Sequence, residues 1–174
     1  MFEVELKLKI EHSMVIPYLE GLGFYLVGEE VHHDIYLNAP HKDFGVTDEA
    51  LRLRQSNGKS YLTYKDKKIN PRTKTRREIE TPIILDDMYD IFLSLGFKET
   101  LNIEKKRIKY KKKDISICLD SVKGLGEFVE IETMADSNLN IYENQLLEIL
   151  KTMNISEDKL ISKSYLELLL DNGQ

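Results

Sequence analysis

The sequence predicts an α+β fold in which an antiparallel β-sheet curls into a closed barrel flanked by α-helices. Residues 2–10 alternate strictly between apolar and charged side chains, which is the period of a β-strand. Three times a strand with a Glu-x-Glu pattern is followed by an amphipathic helix. The polar faces of the strands are almost entirely charged. Because the apolar faces are needed to cover the helices, the charged faces must converge inside the barrel.

Composition limits the classes of protein that the chain can represent. With 174 residues and 41% hydrophobic side chains, the chain is expected to form a single domain over residues 1–174 with a substantial core. Its net charge of −5 argues against nucleic acid as a partner. The single Cys118 excludes an internal disulfide framework. No apolar run reaches the length of a membrane span, so we expect a cytoplasmic protein with no membrane partner.

In the first half of the chain, the strand at 2–10 leads into a helix with Ser13 as its predicted N-cap and Gly21 and Gly23 at its end. Segments rich in Gly, Pro, Asn and Asp predict two polar loops, at 38–49 and 66–74. Between these features the sequence predicts strands at 24–30, 33–37, 50–55 and 60–66.

In the second half, residues 76–80 form a charged strand, followed by a helix with Asp86 or Asp87 as its predicted N-cap. Residues 140–153 follow the strand at 130–132 and have helical periodicity. Residues 164–170 are compatible with either a helix or a strand. Further strands are predicted at 98–110 and 114–120.

The charged strand faces would line one internal cavity. Gathering like charges at low dielectric is costly unless they are paired or bind a ligand, so a ligand explains the arrangement better than stability does. Seven cations and seven carboxylates lie on the charged faces of the predicted strands. They are Lys7, Arg52, Arg54, Lys65, Arg76, Lys105 and Arg107, with Glu3, Glu5, Glu78, Glu80, Asp120, Glu130 and Glu132.

The chemistry of these two sets indicates the ligand. Clusters of carboxylate oxygens favour Mg²⁺ or Mn²⁺ over zinc. Arg and Lys side chains suit phosphate oxygens, and Arg can bind them with two parallel hydrogen bonds. Because several cations are available at once, a triphosphate fits the cavity better than a monophosphate. The predicted partner is therefore ATP or another triphosphate.

Several segments match the ordered motifs of a known family. The chain resembles the CYTH superfamily, also called triphosphate tunnel metalloenzymes, and within it the class IV adenylyl cyclase branch. The matching motifs cover nearly the whole chain: EVELK at 3–7, DIY at 34–36, NAP at 38–40, TDEALRLR at 47–54, YLTYK at 61–65, RREIE at 76–80, KKR at 105–107, LDSV at 119–122, LGEFVEIE at 125–132 and SYLEL at 164–168.

The resemblance implies an eight-stranded antiparallel tunnel, a required divalent metal and roles for the charged residues. Asp120 is either a metal ligand or a contact on the base side of the substrate. The implied catalytic residues are Lys7, Arg54 and Asp120. The implied metal ligands are Glu3, Glu5, Glu130 and Glu132, with Glu78 and Glu80 as supporting or second-metal ligands. The phosphates would be held by Lys7, Arg52, Arg54, Lys65, Arg76, Lys105 and Arg107.

Three functions are compatible with this lining. The first is an adenylyl cyclase, a lyase that converts ATP to cyclic AMP and pyrophosphate. The second is a triphosphatase acting on inorganic triphosphate, thiamine triphosphate or a nucleoside triphosphate. The third is a binding module for polyphosphate or nucleotide without catalysis. The lining alone does not choose among them, and a homodimer is one assembly that the sequence leaves open.

Other reactive residue types are assigned no role in the site. The four histidines lack partners at metal-binding or catalytic spacing, so they are interpreted as surface or strand-edge residues: His12, His32, His33 and His41. Cys118 shares the parity of Asp120 and is expected to face the cavity, without a nucleophilic role.

Overall fold

Eight antiparallel strands close into a barrel, which confirms the predicted fold class. A computed structural model describes residues 1–70 and 72–173. Around the barrel the strands follow the order β1-β5-β4-β3-β2-β6-β7-β8. Their bounds are β1 Phe2–Leu8, β2 Tyr25–Asn38, β3 Ala50–Ser56, β4 Lys59–Lys65, β5 Arg76–Pro82, β6 Lys98–Lys112, β7 Ile115–Val122 and β8 Gly126–Ala135.

Five helices flank the barrel. They are α1 Ile16–Leu19, α2 Phe44–Thr47, α3 Leu85–Ser94, α4 Leu139–Thr152 and α5 Tyr165–Asp171. Short 3₁₀ turns occupy His12–Met14 and Glu157–Lys159. None of the described helices has the length and apolar character that a membrane-spanning helix requires.

The apolar strand faces point outward, as predicted. On β1, Val4, Leu6 and Leu8 are fully buried and belong to one core cluster with Leu146 and Leu150 of α4. Strands β1 and β8 are paired along their length. Because side chains alternate along each strand, burying the apolar residues under the helix turns the charged residues into the barrel.

Strand β2 is continuous where the sequence predicted two separate strands. It runs unbroken over Tyr25–Asn38, with register shifts between Leu26 and Gly28 and between Tyr36 and Leu37. Glu30 and His32, near its centre, point into the barrel. The sequence around them therefore lacks the alternation of apolar and polar residues that predicts a strand.

The first helix is shorter than predicted, and Ser13 does not cap it. The Ser13 hydroxyl donates to Glu11, and α1 begins after Val15 without a side-chain cap. The N-cap of α3 is likewise Ile84 rather than an aspartate. Asp86 and Asp87 lie instead in the first turn of α3, where negative charge stabilises the helix dipole.

Two other segments are helical because of identifiable caps. The predicted loop at 38–49 contains α2, where Asp43 Oδ1 accepts a hydrogen bond from the Gly45 backbone N–H at 2.9 Å. The undecided segment at 164–170 forms α5. Ser164 and Glu167 form a reciprocal capping box at its start.

Candidate functional site

The barrel surrounds a charged cavity of about 560 Å³. Ten cationic side chains in its lining outnumber seven carboxylates by three, although the whole chain is negatively charged. The cations are Lys7, Arg52, Arg54, Lys59, Lys65, Lys74, Arg76, Lys105, Arg107 and Lys109. The carboxylates are Glu3, Glu5, Glu30, Glu78, Glu80, Glu130 and Glu132.

The cavity contains all the predicted phosphate-binding and metal-binding residues. The seven predicted cations and the six predicted glutamates all line it. The exception among the charged residues is Asp120 of β7, which lies in the barrel wall outside the lining. The structure therefore brings the predicted set together, while the role of each residue stays a prediction.

Asp120 organises two of the cations that face the cavity. Its fully buried carboxylate accepts hydrogen bonds from Lys105 Nζ at 2.7 Å, Arg107 Nε at 2.7 Å and the Tyr165 hydroxyl at 2.9 Å. Burial alone would raise the pKa of Asp120, but Arg107 and Lys105 hold it below its ordinary value. Asp120 therefore acts on the cavity through its partners.

Lys7 of β1 is a second buried residue that is held by an ion pair and lies close to Tyr165. Its Nζ lies 2.9 Å from Glu130 Oε1 and 3.7 Å from the centre of the Tyr165 ring. Burial would lower the pKa of Lys7, but Glu130 and Glu5 raise it above its ordinary value. Lys7 is therefore charged at neutral pH.

Strands β2–β5 contribute a second group of ion pairs. Arg54 donates to both oxygens of Asp34, with both hydrogen bonds at 2.7 Å. Lys65 Nζ lies 2.8 Å from Glu3 and 2.6 Å from Glu78. Burial would raise the pKa of Glu78, but Lys65 and Arg52 lower it to about 2.

Two buried guanidinium groups retain unused donors in this part of the cavity. Among the described residues, neither Arg52 Nε nor Arg76 Nε has a hydrogen-bond partner. An unpaired buried donor costs about 1–3 kcal/mol. These two donors are therefore free to bind an acceptor supplied from outside the chain.

Lys74 lies in the cavity but was missed, because it comes from the predicted loop at 66–74. Its side chain is 2% exposed, and its Nζ lies 2.6 Å from Glu5 Oε1. Burial lowers the pKa of Lys74 to about 7. The loop is held by Glu143 of α4, which accepts hydrogen bonds from Thr73 and Thr75. A loop has no side-chain parity, so no sequence signal could have placed Lys74 inside.

The prediction that all four histidines are surface or strand-edge residues is wrong for His32 and His12. His32 lines the cavity and is 2% exposed, because it shares the inward parity of Glu30 on the continuous strand β2. His12 is buried, with Nε2 lying 3.2 Å from the Asp120 carbonyl oxygen. His33 and His41 are exposed, as predicted.

The thiol of Cys118 is buried and lies 3.6 Å from Glu132 Oε1, outside the cavity lining. Burial raises the pKa of Cys118 well above its ordinary value. A thiol in that state is a poor nucleophile.

The donor set fits a hard divalent cation by its chemistry. The six predicted glutamates, together with Glu30, supply only oxygen ligands around one cavity, and oxygen is what Mg²⁺ and Mn²⁺ prefer. In the part of the chain that the structure describes, no three His, Cys, Asp or Glu side chains are grouped closely enough to hold a metal ion. Glu5 contacts Lys74, and Glu130 contacts Lys7. Metal binding at these carboxylates therefore requires an exchange of counter-ions.

Comparisons with known proteins agree with this geometry. The model of the CYTH domain matches residues 1–165. A Methanocaldococcus jannaschii protein described as "Putative adenylate cyclase" is 46% identical over 173 residues, covering 97% of this chain and 98% of that protein.

Solved structures share the barrel. The PH1819 protein of Pyrococcus horikoshii has a TM-score of 0.88 at 40% identity, covering 98% of this chain and 99% of that chain. A Hippeastrum protein, described as a "Putative adenylyl cyclase" with a dominant triphosphatase activity, has a TM-score of 0.69 at 16% identity, covering 99% of this chain and 95% of that chain. The chain belongs to the CYTH domain family, an enzyme family whose members generally use divalent metals.

Proposed function

We propose that the chain is a metal-dependent adenylyl cyclase, which converts ATP to cyclic AMP and pyrophosphate inside the barrel. The observation that carries this proposal is the cationic excess of the cavity, together with the unused buried donors of Arg52 and Arg76. The choice of cyclase rests on the relative that is 46% identical and is described as a "Putative adenylate cyclase".

The triphosphate is held by the cations of the lining. A phosphate oxygen would satisfy Arg52 Nε and Arg76 Nε, which have no partner among the described residues. Charge-assisted hydrogen bonds of this kind are stronger than neutral ones. The proposed phosphate-binding set is Lys7, Arg52, Arg54, Lys65, Arg76, Lys105 and Arg107.

The carboxylates hold the metal. When bound, Mg²⁺ or Mn²⁺ supplies additional neutralisation of the phosphate charge. In the register of β1 and β8, Glu5 lies opposite Glu132, whereas Glu3 lies opposite Met134 and Glu130 lies opposite Lys7. These four glutamates are the proposed primary ligands, with Glu78 and Glu80 as supporting or second-metal ligands.

The reaction is an in-line substitution at the α-phosphorus. The ribose 3′-oxygen forms a bond to the α-phosphorus, and pyrophosphate departs with the electron pair of the broken bond. Lys7 and Arg54 stabilise the negative charge that develops on the phosphate oxygens. Asp120 positions Lys105 and Arg107, because both cations donate to its buried carboxylate.

A triphosphatase is the second candidate. The proposed cations are assigned to phosphate oxygens and not to the ribose. The same lining could therefore stabilise the attack of a water molecule on the γ-phosphorus. Such a reaction would release ADP and phosphate from ATP.

Product analysis separates the candidates. The purified chain is incubated with ATP and Mn²⁺, and the nucleotides are resolved by chromatography. Cyclic AMP with pyrophosphate supports the cyclase, and ADP with phosphate supports the triphosphatase. Unchanged ATP with saturable binding would reject both in favour of a binding module.

A matched pair of variants tests the role of the carboxylates. Glu5→Ala is expected to abolish metal-dependent turnover while the far-ultraviolet circular dichroism stays that of the folded barrel. The exposed Glu11 provides the control, and Glu11→Ala should retain activity. Full activity in Glu5→Ala would remove Glu5 from the ligand set.

A further inference from the structure

His32 differs in character from the charged residues around it. It lies on β2, paired with Ser56 of β3 on one side and Lys105 of β6 on the other. Its imidazole lines the cavity and is 2% exposed. The ring is therefore held inside the site by two neighbouring strands.

The two ring nitrogens of His32 have different environments. Nε2 lies 2.6 Å from Glu30 Oε2, while the buried Nδ1 has no hydrogen-bond partner among the described residues. An ionised carboxylate can only accept a hydrogen bond, so the proton of the neutral ring belongs on Nε2. Nδ1 then carries an unused lone pair.

The charges around His32 keep the ring neutral in the absence of ligand. Burial, together with the nearby cations Arg54, Lys105 and Arg107, lowers the pKa of His32 to about 3, and the hydrogen bond to Glu30 only partly opposes this. The same three cations belong to the proposed phosphate-binding set. A bound triphosphate would offset their charge, so the affinity of the imidazole for a proton would rise when substrate is present.

Glu5 and Glu130 of the cavity are less suited to accept a proton. Glu5 contacts Lys74 and Glu130 contacts Lys7, so their oxygens already face ammonium groups. These glutamates are also the proposed metal ligands. His32 Nδ1, in contrast, is a free acceptor beside the cations that would bind phosphate.

We propose that His32 is the general base of the reaction, accepting the proton of the attacking hydroxyl at Nδ1, with Glu30 as the positioning residue for its ring. This inference rests on the proposed function. The O–H bond of the ribose 3′-hydroxyl breaks and its proton moves to Nδ1, while the oxygen forms its bond to the α-phosphorus. Pyrophosphate leaves with the electron pair of the broken P–O bond. The imidazolium returns its proton to solvent after product release.

The first test compares two neighbouring histidines of opposite parity. His32→Gln is expected to lower kcat for cyclic AMP formation by about 10²- to 10⁴-fold, the usual contribution of general acid–base catalysis. Its dissociation constant for tripolyphosphate should stay within about two-fold of wild type, because the cations remain. The control His33→Gln alters an exposed side chain and should change neither value.

The pH profile separates proton transfer from a structural role. Wild-type kcat should fall toward acidic pH as His32 becomes protonated in the substrate complex. Glu30→Gln should shift this acidic limb to lower pH, because the ring loses the carboxylate that stabilises its positive form. Glu29→Gln, which changes an exposed neighbour, should leave the limb in place.

A spectroscopic measurement on the wild-type chain makes the test independent of variant folding. In ¹H–¹⁵N NMR spectra, His32 should be neutral at pH 6 in the free protein and should titrate at higher pH with tripolyphosphate bound. A charged His32 in the free protein, or no shift on binding, would overturn the proposal.

The kinetic outcomes distinguish this proposal from the proposed function. If wild type forms cyclic AMP and His32→Gln keeps the same kcat and acidic limb, the role of His32 is rejected while the cyclase stands. If wild type forms no product from ATP, the proposed cyclase is rejected and the base assigned to it is rejected as well.

Discussion

The two halves of the barrel differ in how many apolar side chains are buried on their outer faces. The half formed by β1, β6, β7 and β8, here called the packed half, carries most of a core cluster with sixteen buried apolar residues. The half formed by β2–β5, here called the thin half, has three buried residues in its cluster: Leu37, Leu51 and Leu53. Helix α4 buries Leu146 and Leu150 against the packed half, whereas α3 on the thin half has no fully buried residue.

The same difference is found inside the cavity. In the packed half, Asp120 accepts hydrogen bonds from Lys105, Arg107 and Tyr165. In the thin half, Arg52 Nε and Arg76 Nε are buried without partners among the described residues. Both halves contain ion pairs, but in the thin half Arg52 and Arg76 each keep one buried donor that is available for a ligand.

The largest expected effect is the loss of Asp120. Asp120→Asn should lower the free energy of unfolding by about 3–5 kcal/mol, because the buried Lys105 would lose its counter-ion and Arg107 would keep only its pairing with Glu130. Asp34→Asn in the thin half should cost less, about 1–3 kcal/mol, since Asp34 pairs with Arg54 alone. Urea denaturation measures both values. An equal or larger loss for Asp34→Asn would contradict the comparison.

Truncating an apolar side chain outside the barrel should also destabilise the protein more in the packed half than in the thin half. Leu146→Ala should destabilise the protein by about 2–5 kcal/mol, because its fully buried side chain would leave a cavity. Ile91→Ala on α3 should cost below about 1 kcal/mol, since Ile91 is 50% exposed. Similar unfolding midpoints for the two variants would show that the halves are packed alike.

Acid should destabilise the protein through the paired carboxylates of both halves. Lys65 and Arg52 lower the pKa of Glu78 to about 2, so the stability that Glu78 contributes is complete above its unfolded pKa of about 4.5. That contribution is lost as the pH falls from about 4.5 to about 2. Thermal melts over this range should show a smaller drop for Glu78→Gln than for wild type. An identical pH dependence would mean that Glu78 is not held by its cations.

The last expected effect concerns ligand binding in the thin half. Arg76→Gln should weaken tripolyphosphate binding by about 1–3 kcal/mol, typical of a hydrogen bond to a charged group. Arg77 is the matched control, because it is exposed and has the opposite parity on β5. Isothermal titration calorimetry should find Arg77→Gln close to wild type. Equal affinities for wild type and Arg76→Gln would assign the unused donor no role in binding.

The alternation of residues was sufficient to predict the barrel and most of its lining. On β1, the apolar parity of Val4 and Leu6 could be separated from the charged parity of Glu5 and Lys7 by sequence alone. A strand has only two faces, so once the apolar face is assigned to the helices, the charged residues must face inward.

The remaining site residues lacked such a pattern. His32 was missed because it falls in the gap between the strands predicted at 24–30 and 33–37, which form one continuous strand, β2. Lys74 was missed because its position depends on hydrogen bonds between its loop and Glu143 of a distant helix. Ser13 and Asp86 were predicted as caps from residue type, but capping depends on the backbone geometry at the helix start.

Each strand has an apolar outer face and a charged inner face, and this alternation has a consequence for evolution. Inserting or deleting one residue within β1 or β8 would exchange the two faces, placing leucines in the cavity and carboxylates under α4. Such length changes are therefore expected to be eliminated from the strands and to accumulate in the connections. Divergence toward new substrates would proceed instead by point replacements on alternate positions, which can alter the chemistry of the cavity while the outer packing is inherited intact.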